Sequence, residues 1–258
     1  MTLSTLSRSI EGSVAIVTGA ASGMGRATCH LFADQGARVA AIDVHKEPLE
    51  KVVSEMTGAG CEARGWVLDL SQGSAISPVI EEIAASFGGI DILVNNAGIS
   101  IPVAIDSEEF PQAWERSFAV LLTAHALTIR AALPYLRKAA HPRIVNIAST
   151  EGLGATRYQS PYTAAKTGVI GLTRSLAVEL GPERITVNCV CPGPINTGMT
   201  SEIPDEHKEI FAKRRVALRR YAEPEEVAHA TLNLVLPASQ YMTGVALPVD
   251  GGLTIRNA

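Results

Sequence analysis

From residue 13 to residue 98 the chain alternates between short, β-branched apolar runs and longer segments with helical apolar spacing. The runs are SVAIVTG (13–19), ARVAAID (37–43), CEARGWVLDL (61–70) and DILVNNAG (91–98). A short, nearly continuous apolar run stopped by Gly, Asp or Asn suits a strand buried on both faces. The segments between them, RATCHLFADQG (26–36), about 46–56 and about 76–87, carry apolar residues at helical intervals. Strands separated by helices over short connections assemble as a parallel sheet with helices on both faces. The expected class is therefore α/β: a Rossmann-like, doubly wound parallel sheet. Right-handed crossovers then put a ligand crevice at the C-terminal ends of the strands.

The pattern continues to the end. Residues 110–138 read as one long helix, broken in its last turn near Pro134. Arg143–Ala148 is a fifth strand, and a helix through Tyr162 runs to about Leu180, with Ala165, Val169, Leu172 and Leu176 on one stripe. RITVNCVC (184–191) is a sixth strand and TGVALPVDGG (243–252) holds the last. Glu223–Val235 reads as a helix with Pro224 in its first turn. No repeat, low-complexity tract or linker interrupts the 258 residues, so 1–258 is expected to be one domain. Residues 198–216, with Gly, Pro and mixed charge, are the candidate substrate lid.

The first strand runs into Gly19-Ala-Ala-Ser22-Gly23-Met24-Gly25 and then a helix. Small residues there let the backbone approach a pyrophosphate, and the helix N-terminus favours its charge. Asp43 ends the second strand, where a carboxylate accepts hydrogen bonds from adenosine ribose hydroxyls and repels a 2′-phosphate. No Arg or Lys lies in the glycine loop before Gly25, and none directly follows Asp43. The cofactor expected is NAD rather than NADP. Asp69 closes the third run and can meet an adenine amino group. Asn95, Asn96, Ala97 and Gly98 end the fourth, beside the crevice. Pro192-Gly193-Pro194-Ile195-Asn196-Thr197 is a rigid turn suited to covering a nicotinamide, with the Thr197 hydroxyl near its amide.

A second group of residues carries reactive chemistry. Ser149 ends the apolar run IVNIA, and Tyr162 and Lys166 stand one helical turn apart, on one face. A free phenol titrates near pH ~10, and a neighbouring ammonium lowers that value toward a useful general acid or base. The Ser149 hydroxyl can hold a substrate oxygen beside the phenol. By itself YxxxK is a common surface pattern; the cofactor crevice gives it meaning.

Composition removes several classes. The net charge is −4 with no long basic run, so nucleic-acid binding has no electrostatic footprint. Four cysteines, Cys29, Cys61, Cys189 and Cys191, form no CxxC pair and have no His at metal-ligand spacing, so no metal is expected. The N-terminus lacks a long apolar signal segment. The apolar stretch 118–136 is interrupted by His125 and Arg130, and reads as a buried or interface helix rather than a membrane span. A cytoplasmic location is expected.

Together TGAASGMG (18–25), Asp43, Asp69-Leu70, NNAG (95–98), Ser149, Tyr162-x-x-x-Lys166, Asn188, PGPINT (192–197) and VDGG (249–252) make the chain resemble a short-chain dehydrogenase/reductase of the small, single-domain type. The resemblance covers nearly the whole length. It implies about seven strands and hydride transfer between a nicotinamide and a carbon–oxygen centre. It gives Tyr162 the acid/base role, Ser149 the substrate oxygen, and Lys166 the nicotinamide ribose and the lowering of the Tyr162 pKa. It implies cofactor contacts from Gly19, Ser22, Gly23, Met24, Gly25, Asp43, Asp69, Leu70, Asn95, Ala97, Gly98, Tyr162, Lys166, Pro192, Gly193, Ile195 and Thr197, and a homotetramer or homodimer. One position departs: many members carry an Asn on the long helix that helps hold a relay water, and alignment puts Leu121 there. No Asn occurs from 97 to 145. Thr123 and His125 are near in sequence but at different helical angles, so proton release is expected to be slowed.

Candidate substrate-facing residues are Ser149, Glu151, Leu153, Tyr158, Pro194 and Met199, with Ile99, Ile101, Ile203 and Phe211 adding apolar surface. They suggest a moderately sized secondary alcohol or ketone. The leading expectation is an NAD-dependent alcohol dehydrogenase. The alternatives are an NADPH-dependent 3-oxoacyl-thioester reductase and a weakly catalytic NAD-binding regulatory protein.

Overall fold

A computed structural model describes residues 5–257. Seven strands, β1 (Val14–Thr18), β2 (Arg38–Asp43), β3 (Ala63–Val67), β4 (Ile92–Asn95), β5 (Arg143–Ile147), β6 (Thr186–Pro192) and β7 (Ala246–Val249), form one sheet. Its order is β3-β2-β1-β4-β5-β6-β7 and every pair is parallel. The direction of winding reverses between β1 and β4, which is where a doubly wound sheet opens its crevice.

The helices are α1 (Gly23–Asp34), α2 (Lys46–Gly58), α3 (Gly73–Phe87), α4 (Phe110–Phe118), α5 (Ala124–Leu136), α6 (Ser160–Leu180), α7 (Asp205–Arg215) and α8 (Pro224–Val235). Period-two alternation divides the strands between two cores. Ala15, Val17, Val39, Ala41, Val145 and Ile147 face α1, α2 and α8. Val14, Ile16, Ala40, Ile42 and Ile144 face α3, α5 and α6. Both faces are covered, so the strands read as continuous apolar runs.

Two expectations need correction. The third strand ends at Val67, so Asp69 lies two residues beyond it rather than closing it. β3 is an edge strand with Arg64, Gly65 and Val67 exposed, and only β2 beside it to extend the pairing. The long helix is interrupted at a π-turn, Ala119–Thr123, and not near Pro134. Pro134 lies inside α5, which runs on to Leu136. The carbonyl that Pro134 leaves unpaired belongs to exposed Arg130, where solvent can serve it. The combined stretch Phe110–Leu136 is long and apolar enough to cross a bilayer by length and composition alone. Here it packs against α3 and α6, and its buried side chains complete the core.

The turn after β1 is built on close approach. Gly19 has φ +66°, and a Cβ there would stand 2.7 Å from Ala97 Cα. At Gly25 a Cβ would stand 2.0 Å from the Gly19 carbonyl oxygen. Neither obstacle can move aside, since both are backbone. Gly25→Ala is expected to push α1 off the β1 turn, lowering the melting temperature by several degrees and weakening dinucleotide binding at least tenfold, measured by thermal denaturation and fluorescence titration. An unchanged melting temperature would refute this account of the turn.

Candidate active site

The crevice begins at Thr18, the last residue of β1. Its Oγ1 accepts from the backbone N–H groups of Asn96 and Ala97, both at 3.0 Å, and so ties the end of β1 to the end of β4. Asn96 Nδ2 donates back to the Thr18 and Gly19 carbonyls at 2.9 and 3.2 Å. Asn96 Oδ1 is buried with no hydrogen-bond partner among the described residues.

Behind that edge lies a chain of buried polar side chains. Thr128 on α5 donates to Asn95 Oδ1 (2.7 Å), Asn95 Nδ2 donates to Asn146 Oδ1 (3.0 Å), and Asn146 Nδ2 donates to Thr173 Oγ1 on α6 (3.0 Å). All four residues are at most 1% exposed. Asn95 therefore faces the interior and does not line the groove, because its amide is used in clamping α5 and α6 to the sheet. An amide in the middle of the apolar run IVNIA was the sequence signal for this chain, since a buried amide needs a partner.

A groove of about 310 Å³ opens in front of these strand ends. Of the residues expected to meet the cofactor, Gly19, Ser22, Gly23, Met24, Asp43, Asp69, Leu70, Ala97, Gly98, Tyr162, Lys166 and Thr197 line it. Gly25, Asn95, Pro192, Gly193 and Ile195 do not. Gly193 serves packing: a Cβ there would lie 2.7 Å from Asp250 Cα. A larger cleft of about 890 Å³ between α1 and α8 shares Gly23, Thr197 and Gly198 with the groove but contains neither Tyr162 nor Lys166.

At one end, Asp43 accepts from Ala21 N (3.0 Å) and His45 N (2.9 Å), which fixes its carboxylate in the groove wall. Two cations close to this end of the groove in sequence are paired with other carboxylates. Arg26 pairs with Glu55 at 2.9 Å and Lys46 with Glu50 at 3.8 Å. Asp69 accepts from Ser71 and from Arg116, whose guanidinium also reaches the Ser71 hydroxyl. Those bonds hold the Asp69 carboxyl below the usual range although burial opposes them. Arg116, on α4, also lines the groove. Sequence reasoning missed it, because nothing in the α4 pattern says which charge points at β3.

At the other end Tyr162 and Lys166 line the groove, and the Ser149 hydroxyl stands beside the Tyr162 phenol without lining it. Ser149 follows β5 and caps a single 3₁₀ turn, Thr150–Gly152, its Oγ accepting from Glu151 N at 3.1 Å. Tyr162 and Lys166 sit in the first two turns of α6. Burial pushes the Tyr162 phenol up; the Ser149 hydroxyl pulls it partly down and the Glu151 carboxylate adds a smaller rise. The expected lowering by Lys166 is therefore not realised in this arrangement. Lys166 Nζ lies 5.7 Å from the Tyr162 ring centroid and donates to the Ile147 carbonyl at 2.7 Å. Burial brings Lys166 itself down to about 8.

The expected substrate residues separate. Met199 lines the groove. Glu151 is held by the Thr156 and Thr163 hydroxyls at 2.7 and 3.2 Å. Leu153 and Tyr158 are exposed outside the groove, and Tyr158 adopts φ +66° with the Arg157 guanidinium 4.4 Å over its ring. Pro194 turns away to a separate cavity with Leu218 and Val249, so the turn that carries it presents Thr197, not Pro194, to the groove.

The chain is similar to known proteins over nearly its whole length. A family model described as enoyl-(acyl carrier protein) reductase matches residues 19–254. The chain is 39% identical over 249 residues to 3-oxoacyl-(acyl-carrier-protein) reductase FabG of Thermotoga maritima, covering 95% of this chain and 99% of the relative. It is 39% identical over 241 residues to cis-4-hydroxycyclohexanecarboxylate dehydrogenase of Sinomonas cyclohexanicum, covering 93% and 96%. It superposes on a short-chain type dehydrogenase/reductase from Mycobacterium marinum with TM-score 0.90 and 31% identity, covering 96% and 98%.

The phenol makes a direct test of the geometry. In the ligand-free protein, the ultraviolet difference titration between wild type and Tyr162→Phe is expected to show ionisation above the free-tyrosine value of ~10. Ser149→Ala should move it higher still, because the hydroxyl that lowers it is gone. A Tyr162 that ionises near neutrality without ligand would refute this.

Proposed function

This chain belongs to the short-chain dehydrogenase/reductase family, and we propose that it oxidises a secondary alcohol to a ketone with NAD, using Tyr162 as the base. The observation that carries the reading is the pair Tyr162 and Lys166 at one end of a groove whose other end is Asp43, with the Ser149 hydroxyl beside the Tyr162 phenol.

The residues present fit a nicotinamide dinucleotide. Gly23, with φ +51°, leaves room beside Thr197, where a Cβ would press to 3.2 Å of Cγ2. The N-terminus of α1 offers unpaired N–H groups to phosphate. Asp43 would take the adenosine ribose, Lys166 the nicotinamide ribose and Thr197 the carboxamide. Bound there, the nicotinamide supplies the acceptor or donor of hydride. Ser149 would hold the alcohol oxygen by hydrogen bond, and the Tyr162 phenolate would take the proton from that oxygen. In reduction Tyr162 returns that proton to the oxygen. Lys166 ammonium would stabilise the phenolate, working against the burial that brings Lys166 down to about 8.

The preference for NAD is supported by the fixed Asp43 carboxylate and by the pairing of Arg26 and Lys46 with Glu55 and Glu50. A 2′-phosphate would meet an uncompensated like charge, and each ~1.4 kcal/mol of that is a tenfold loss of affinity. A cyclic secondary alcohol is supported by the relative that acts on cis-4-hydroxycyclohexanecarboxylate and by the apolar Ile99 and Met199 in the groove. Self-association through α4 to α6 is supported by the Phe110–Trp114–Phe118 ladder, with Trp114 stacked at 4.4 Å on Phe118 and 37% exposed. A second reading, reduction of a 3-oxoacyl thioester with NADPH, is favoured by the 39% identity to the reductase of Thermotoga maritima.

Absorbance at the reduced-nicotinamide band, with NAD and NADP against a panel of secondary alcohols and a 3-oxoacyl thioester, decides between them. Wild type is expected to prefer NAD by at least about tenfold in kcat/KM. Asp43→Asn removes the charge, keeps an acceptor for the loop, and should erode that preference. Tyr162→Phe should lose about 10²–10⁴ in kcat. Faster thioester reduction with NADPH would replace the alcohol reading with the second.

A further inference from the structure

Two long cationic side chains, Lys166 and Arg116, line the groove, and the chemistry proposed above uses only Lys166. Arg116 belongs to α4, yet its guanidinium crosses to the loop after β3. There Nη1 donates to Asp69 Oδ2 at 3.4 Å and to the Ser71 hydroxyl. Its Nε and Nη2 have no hydrogen-bond partner among the described residues. The Asp69 carboxylate is engaged unevenly. Oδ1 accepts from Ser71 N at 2.9 Å and from Ser71 Oγ at 2.8 Å. Oδ2 accepts from Arg116 alone, and 3.4 Å is longer than the about 2.7–2.9 Å of a strong charge-assisted bond. Oδ2 therefore keeps lone-pair capacity for another donor.

The wall at this end thus holds an open acceptor and open donors side by side, with the apolar Leu68, Leu70 and Val120 lining the same groove. As an ion pair the two side chains stabilise the fold little: they are 44% and 32% exposed, and such pairs contribute about 0–1 kcal/mol. What they present to the groove is more specific. Adenine is a flat ring with an amino donor at C6 and an acceptor nitrogen on either side of it, N1 and N7. A carboxylate can meet the amino group but has nothing to give a ring nitrogen. The guanidinium has, and the Ser71 hydroxyl fixes it beside the carboxylate. Lys166 cannot serve the same end, because it stands by Tyr162 and donates to the Ile147 carbonyl.

We propose that Arg116 is a specificity-determining residue for the base of the dinucleotide: while Asp69 Oδ2 accepts from the adenine amino group, a free Arg116 N–H donates to the ring nitrogen next to it. The proposal rests on the dinucleotide reading of the groove and not on which alcohol or thioester reacts. Two directional bonds read an edge that one bond only touches, and a base lacking either partner leaves a polar group of the site unmet. Arg116 touches no reacting atom, so its effect falls on the affinity for the cofactor and not on the transfer of hydride.

The test is equilibrium binding by titration calorimetry, which needs no turnover. The probes are 5′-AMP and its 1-deaza and 7-deaza analogues, in which a CH replaces one ring nitrogen. Wild type is expected to bind one of the two analogues roughly tenfold more weakly than 5′-AMP, which identifies the nitrogen that Arg116 meets. Arg116→Met should bind 5′-AMP roughly tenfold more weakly than wild type and should no longer distinguish it from that analogue. In turnover, Arg116→Met should raise the KM for NAD by a similar factor with kcat little changed. Equal affinity of wild type for all three probes would overturn the proposal. So would an Arg116→Met that keeps the wild-type ratios, which would leave Arg116 a surface ion pair. Wild type that binds neither NAD nor 5′-AMP would overturn the dinucleotide reading and this proposal with it. Wild type that binds both but oxidises no alcohol would overturn the reaction alone, and the analogue ratios would still judge Arg116. If Arg116→Met fails to fold, Arg116→Gln and the wild-type ratios decide.

Discussion

The hydrogen bond between Asn95 and Asn146 is the interaction on which the rest of the site depends. It joins the ends of β4 and β5 inside the core, and Thr128 and Thr173 extend it to α5 and α6. Each partner is out of reach of water, so breaking one bond leaves the others unmet at a cost of about 1–3 kcal/mol per group. The chain therefore holds two helices in register with two strands more strictly than apolar contact can, because oil-like packing tolerates small slips and directional bonds do not. Tyr162 and Lys166 descend from the same helix as Thr173. Ser149 follows the same strand as Asn146. Their convergence is a consequence of that clamp.

The clamp sets up an electrostatic tension. Packing α6 against β5 buries the phenol and the ammonium together, which pushes the phenol up and the ammonium down. Both shifts favour the neutral forms, the opposite of what proton abstraction needs. Charge brought into the groove on the Tyr162 side would reverse the balance.

Most of the sheet was legible in the chain because a doubly covered parallel strand leaves a strong mark: a short apolar run, a small or polar stop, and a helix of fixed length. All seven strands and their parallel order follow from that repetition. Edges were less legible. β3 has one neighbour, so pairing and not composition ends it at Val67. The interruption of the long helix was also invisible. A π-turn leaves no composition of its own, whereas Pro134, the residue that looks like a breaker, sits where its unpaired carbonyl can face solvent.

By itself the sequence determined the doubly wound fold, the glycine-rich turn and the trio Ser149, Tyr162 and Lys166, because these rest on spacing along one chain: period two, period 3.6, and residues one turn apart. Tertiary structure decided which polar groups point into the crevice. It turned Asn95 inward and left Asn96 in the groove wall, brought Arg116 across to Asp69, carried Pro194 away from the groove, and rotated His125 in while leaving Thr123 out. Each outcome depends on a contact between elements distant in sequence, where a rotation of a single residue exchanges the interior for the surface, and no local pattern encodes that rotation.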